Sequence, residues 1–207
     1  MLILYYILPK KRMKSEAFLA TLRQLPIEKR RRIRQIRDHR AQLQSIAGLK
    51  LLELGIKQLK IRNFQLQKLQ FSMTKMTKPS ARCAKPRFTH FSISHSHNCI
   101  CCVISKHKRV GIDVEKDRPL ATDLIAKYQL GLNKLSPIRA WTQKEAVFKV
   151  YGDQSLSSLK QIQLDGQQAK FNNQHYYVNS FKLYKNYHMS IASLQPNTKI
   201  KIKRVYF

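Results

Sequence analysis

Three short segments hold side chains whose types and spacing suit chemistry. Residues 111–115 read GIDVE. On a strand, neighbouring side chains alternate faces, so Asp113 and Glu115 point one way and Val114 the other. Two carboxylates on one edge can bind a hard divalent cation through oxygen. A pair of solvated surface acids is the alternative. Residues 141–152 read WTQKEAVFKVYG. On a helix, Glu145 and Lys149 are four apart and share a face. Trp141, Lys144 and Phe148 recur at three- and four-residue spacing, with Trp141 and Phe148 as core anchors. Taken alone, Glu145 and Lys149 make an ordinary helix ion pair. Glu145 could instead give the cation a third carboxylate, and Lys149 would then lie beside the phosphates that the cation organises. Residues 92–96 read SISHS. A histidine flanked by serines at a strand end can donate hydrogen bonds to a phosphate, or it can be a satisfied turn histidine.

A basic run spans residues 29–40 and includes Arg30, Arg31, Arg32, Arg34 and Arg37. Arg30, Arg34 and Arg37 would line one helical face. Guanidinium groups suit phosphate through paired hydrogen bonds. A solvated charged face or a nonspecific nucleic-acid patch explains the same run. No G-x-x-x-x-G-K-[ST] or G-x-G-x-x-G loop is present, so phosphate binding would rest on side chains. A Ser/His hydrolase lacks support, since there is no G-x-S-x-G elbow and no third triad member.

The chain's bulk properties agree with an anionic ligand. Its formal net charge is +29, from 40 Lys+Arg against 11 Asp+Glu in 207 residues. Such a surface attracts nucleic acid, anionic lipid, phosphorylated ligands or acidic proteins. It also makes each carboxylate informative. Hydrophobic residues form 43% of the chain, enough for a sizeable core, and the length suits one domain or two small halves. Cys83, Cys99, Cys101 and Cys102 match no zinc or redox spacing. The last three sit in an apolar, strand-like run and read as small buried hydrophobes. Thiols without a disulfide framework favour a reducing cytoplasm. No segment approaches the ~20 apolar residues of a membrane helix, and no membrane partner is expected. The opening MLILYYIL reads as a strand rather than a signal peptide, because its basic residues follow it.

The elements that would position these residues mix helix and strand without a regular βαβ repeat, which predicts an α+β fold. Strands are expected over residues 2–8, 64–73, 88–94, 99–105 and 110–115, and helices over 15–25, within the basic run, and over 38–59, 120–131 and 137–151. From residue 159 onward the pattern is β, with Asp165-Gly166 and Asn172-Asn173 as turn signals.

In order and spacing, FSISHS, GIDVE and W-x-x-KEA-x-x-K resemble the signature of the Sfp-type 4'-phosphopantetheinyl transferases. The core of the likeness covers residues 88–152. Upstream it extends to the opening strand, the basic PIEKRRR segment, a helix with QSIAG and a Lys-Pro element. The resemblance implies two similar α+β halves related by a pseudo-twofold axis, here residues 1–108 and 109–207, with coenzyme A as substrate in the cleft between them. It implies a Mg2+-dependent holo-[acyl-carrier-protein] synthase type of enzyme acting on a serine of an acidic acyl or peptidyl carrier protein. It further implies a monomer with no specific nucleic-acid partner. Its metal ligands fall on Asp113, Glu115 and Glu145. Its phosphate contacts fall on Ser94, His95, Lys144, Lys149 and, from the Lys-Pro element, Lys78. Its grip on the adenosine 3'-phosphate falls on Lys29 and Arg32, with Ser45 on the next helix. Its catalytic roles fall on Glu145, Lys149 and Asp113. The chain departs from the family in having Thr77 where a glycine often precedes the Lys-Pro, in a second Lys85-Pro86, and in a short stretch between GIDVE and Trp141.

Overall fold

A computed structural model describes residues 2–7, 15–60, 90–131, 135–152, 156–184, 186–196 and 199–206. The expected strand at 64–73 and Cys83 lie outside them. The fold is mixed α+β with two sheets. In chain order the elements are β1 (Leu2–Ile7), α1 (Ser15–Arg23), α2 (Ile27–Arg34), α3 (His39–Gln58), β2 (His90–Ser96), β3 (Cys99–Ser105), β4 (Val110–Lys116), α4 (Thr122–Tyr128) and α5 (Pro137–Tyr151). A 3-10 turn (Leu156–Gln161) follows, then β5 (Gln163–Asp165), β6 (Gln168–Phe171), β7 (Gln174–Leu183), β8 (Tyr187–Ser193) and β9 (Ile200–Arg204).

The first sheet has the order β2-β3-β1-β9 and the second β4-β8-β7-β6-β5. β1 and β3 read as unbroken apolar runs because both of their faces are covered. Ile3, Tyr5, Ile7, Ile100, Cys102 and Ile104 face a core built with α3 and the segments before it. Leu2, Leu4, Cys99, Cys101 and Val103 face Val110, Ile112, Val114, Met189 and Ile191 of the second sheet. The far side of the second sheet is closed by α4, α5 and the 3-10 turn through Tyr128, Ala146, Val147, Val150 and Leu159. The result is two facing sheets with helices outside each. Cys99, Cys101 and Cys102 are buried free thiols within this stack.

β9 comes from the far end of the chain yet pairs in parallel with β1, Leu2 opposite Ile200 and Tyr6 opposite Arg204. A division at residue 108 therefore leaves each segment contributing to the first sheet. Among the described residues, no helix is long and apolar enough to cross a membrane.

Local chemistry sets the helix limits near the carboxylates. Pro137 opens α5, and Gly152 closes it in the left-handed conformation at φ 81°. Arg109 Nη1 donates to the Tyr151 carbonyl at 3.4 Å. α4 is shorter than the expected 120–131 because Gln129 turns left-handed at φ 52°. The Leu130 N–H then bonds the Ile125 carbonyl at 3.0 Å, which ends the helix. The residues just after 156 form the 3-10 turn rather than the strand expected from 159. Both expected turns form, with positive φ at Gly166, Asn172 and Asn173.

Candidate active site at the seam between the sheets

β2 and β4 are edge strands of different sheets, and they meet through serine side chains. Ser92 Oγ accepts from the Ile112 N–H at 3.2 Å, and Ser96 Oγ accepts from the Lys116 N–H at 3.1 Å. Ser94, between them, donates to Asp113 Oδ1 at 2.8 Å. Ser96 also donates to Glu115 Oε2 at 2.8 Å. The two acids of GIDVE are thus each held by a serine of SISHS. Period-two alternation puts all three serines on one side of β2 and both acids on one side of β4.

α5 supplies the other charged groups. It crosses β4 at close range because Gly111 has no side chain. A Cβ there would lie 2.0 Å from the Ala146 carbonyl oxygen and 2.9 Å from the Val150 nitrogen. That approach carries Glu145 and Lys149 over the strand. Lys149 Nζ donates to Asp113 Oδ1 at 2.6 Å and to Ser94 Oγ at 3.2 Å, and lies 3.8 Å from Glu145 Oε2. Arg118 Nη2 stands 4.0 Å from Glu115 Oε2. Farther along α5, Thr142 Oγ1 and Ser180 Oγ each lie 2.9 Å from Ser190 Oγ, and Gln143 Nε2 donates to Ser180 at 3.0 Å. Ser190 is the register partner of Asp113, so this polar row continues the same sheet face.

Crowding of charge in a partly desolvated place shifts several groups. Burial raises the pKa of Glu145; Lys149 opposes this, while Asp113 and Glu115 add to it. Burial also raises Glu115, offset in part by the Ser96 hydrogen bond. For Lys149 burial works toward a lower value, but Asp113 and Glu145 outweigh it and its pKa is raised. The pKa of His95 is lowered, first by the protein around it and then by the Lys149 charge, although the ring keeps an exposed side.

A hard divalent cation suits this donor set. Among the described residues, the buried Asp113 Oδ2 has no hydrogen-bond partner, an acceptor left over in a nearly dry place. Two further carboxylates stand within electrostatic reach of it. The three are not drawn into one cluster, however. Among the described residues, no three His, Cys, Asp or Glu side chains are gathered as a metal site, and the Lys149 ammonium lies between Asp113 and Glu145. Asp113, Glu115 and Glu145 are the residues that would hold the ion.

The other expected residues are dispersed. Lys144 is 3% exposed, and its Nζ donates to the Tyr128 carbonyl at the end of α4, 2.9 Å away. Burial lowers its pKa. Trp141 packs edge-on against Tyr128, with ring centroids 5.3 Å apart, and Phe148 is partly buried in the same core. Lys29 is half-buried on α2 beside the exposed Arg32; burial and then the Arg32 charge lower its pKa. Ser45 is half-buried on α3. α2 ends at Arg34, so Arg37 does not share its face with Arg30 and Arg34. Lys78, Thr77 and Lys85 lie outside the described residues.

Sequence reasoning passed over Ser92, Ser96, Arg118 and the space that Gly111 leaves. The S-x-S-x-S alternation on a strand was the available signal for the serines. No family model matches the chain, and no curated protein matches it.

Proposed function

We propose that this chain transfers the 4'-phosphopantetheine arm of coenzyme A to a serine of an acidic acyl or peptidyl carrier protein, and that Mg2+ assists. The observation that carries the reading is the meeting of Asp113 and Lys149 with Ser94 at one seam, with Glu115 held by Ser96 and Glu145 3.8 Å from Lys149, from three elements distant in sequence. On this reading residues 1–108 and 109–207 are the two related halves, with β9 of the second added to the sheet of the first, and coenzyme A lies across the seam between the sheets. The buried oxygen of Asp113 supports a cation as its missing partner.

When bound, Mg2+ supplies charge neutralisation at the pyrophosphate oxygens. The protein's own groups do the rest. Ser94 and Ser96 fix the carboxyl planes of Asp113 and Glu115 by hydrogen bonds, so the acids are oriented before substrate arrives. Glu145 accepts the proton of the carrier serine. The serine oxygen forms a bond to the β-phosphorus, and the bond from that phosphorus to the bridging oxygen breaks. Lys149, kept charged by its acidic neighbours, meets the negative charge on the departing adenosine 3',5'-bisphosphate. His95, with its exposed side, contacts phosphate oxygen, and Lys29 and Arg32 hold the 3'-phosphate. Lys144 supports the site from beneath, by tying α5 to the end of α4. The surface of +29 draws in the acidic carrier and makes encounter salt-dependent.

Calorimetric titration with coenzyme A tests the reading. Binding should strengthen with Mg2+ in the wild type and lose that dependence in Asp113→Asn. Equal Mg2+ dependence in both proteins would remove Asp113 from the site.

A further inference from the structure

A polar cavity opens on the same face of the second sheet, toward the N-terminal end of α5. Its volume is about 240 Å³, and Ser136, Arg139, Lys182 and His188 line it together with Leu135. The register explains the location. Glu115 faces His188 across β4 and β8, and Lys182 faces His188 across β7 and β8. Arg139 lies six residues before Glu145, which is about 9 Å along a helix. The cavity therefore lies beside Glu115, farther from Glu145, on the same helix and sheet.

Three observations give it a preference for anions. Arg139, a partly exposed residue at the start of α5, brings its guanidinium group to the lining. A guanidinium pairs with an oxyanion through charge-assisted hydrogen bonds. Ser136 caps a 15-residue helix without using its side chain to do so, so a hydroxyl stands where the helix dipole is positive. Lys182 and His188 add donors from the strands. Asp117 lies 3.4 Å from His188 Nε2 and 3.9 Å from Lys182 Nζ and offsets part of the charge they bring. The volume equals about eight waters of liquid, more than a bare phosphate needs.

We infer that this cavity is a binding subsite for a small organic phosphate monoester, with the phosphate on Arg139, Ser136 and His188 and the organic group in the remaining space. The inference does not depend on the proposed transfer reaction.

The test is an NMR titration of the full chain with phenyl phosphate, following backbone and histidine signals at fixed pH and salt. Signals of Ser136, Arg139, Lys182 and His188 should shift together and saturate as one site. Arg139→Gln should weaken that site at least about tenfold, while Lys201→Gln on the exposed β9 should not change it. If Arg139→Gln does not fold, the double variant Ser136→Ala, Lys182→Gln reads the same site and should also bind more weakly. Inorganic phosphate should bind less tightly than phenyl phosphate. Shifts scattered over the basic surface without saturation would overturn the inference. So would unchanged affinity in the folded variants, or inorganic phosphate binding as tightly as the organic one.

Discussion

Lys149 Nζ lies 2.6 Å from Asp113 Oδ1, and this contact joins a helix of the outer layer to an edge strand at the meeting of two sheets. Asp113 is 4% exposed, so its charge is nearly dry. The pair is completed by Ser94, which touches both partners. Removing the ammonium leaves a buried acid without its main compensation. Lys149→Met should lose about 3 kcal/mol of stability at neutral pH, read by urea unfolding. The raised Lys149 pKa fixes the sign: its contribution is complete below the ordinary lysine value and disappears as pH rises through the raised one. The gap between wild type and variant should therefore close in strong alkali. A variant as stable as wild type at pH 7 would contradict this.

Glu145→Gln separates chemistry from folding. As the proposed base, Glu145 should account for about 10²–10⁴ in turnover. Its effect on stability has the opposite sign. A carboxyl whose pKa is raised on folding costs the folded state stability as pH rises from the unfolded value through the folded one. In chelator-treated protein at pH 7, the Gln variant should be at least as stable as wild type by urea unfolding. A less stable variant would mean that Glu145 is chiefly structural.

Gly111→Ala probes how α5 reaches the seam. The added methyl would collide with backbone, the Ala146 carbonyl, and not with a side chain that could swing away. Overpacking of this kind costs about 1–3 kcal/mol. Calorimetry should show a lower melting temperature, and phosphopantetheine transfer should fall even where the protein is folded. Wild-type values for both would show that the close approach is dispensable.

Lys144 gives a test at alkaline pH. Burial lowers its pKa, so below the ordinary lysine value the unfolded chain binds more protons than the folded one. Stability from this group rises with pH through the window between the lowered and ordinary values. Lys144→Met lacks that gain and also leaves the Tyr128 carbonyl without its donor. The deficit of the variant in urea midpoint should widen from pH 7 toward pH 10. A constant deficit would contradict the assignment.

Where structure follows from local pattern, the sequence was readable. The run CICCVIS and the segment from Pro137 to Tyr151 form the elements expected of them with the same limits. Apolar continuity marks the first, and Pro and Gly punctuate the second. The α4 helix was overestimated because its end depends on Gln129 taking a left-handed turn, a conformation the side chain does not announce. The β9 strand was legible as β, but its pairing with β1 across the whole chain has no local signature. The same limit applies to the candidate site. Spacing alone put Asp113 with Glu115 and Glu145 with Lys149. It could not show that Ser92 and Ser96 close the seam by accepting backbone N–H groups, since that requires knowing which edge strands meet. Lys144 shows the converse. Its place in the motif suggested a phosphate contact, and helix geometry turns its ammonium to the end of α4 instead.

The most direct measurement is intact-protein mass spectrometry of apo carrier proteins incubated with this chain, coenzyme A and Mg2+. The carrier should gain one phosphopantetheine mass; chelator should abolish the gain, and Glu145→Gln should slow it about 10²–10⁴-fold. Folded wild-type protein that neither modifies any carrier type nor binds coenzyme A would contradict the proposed transfer.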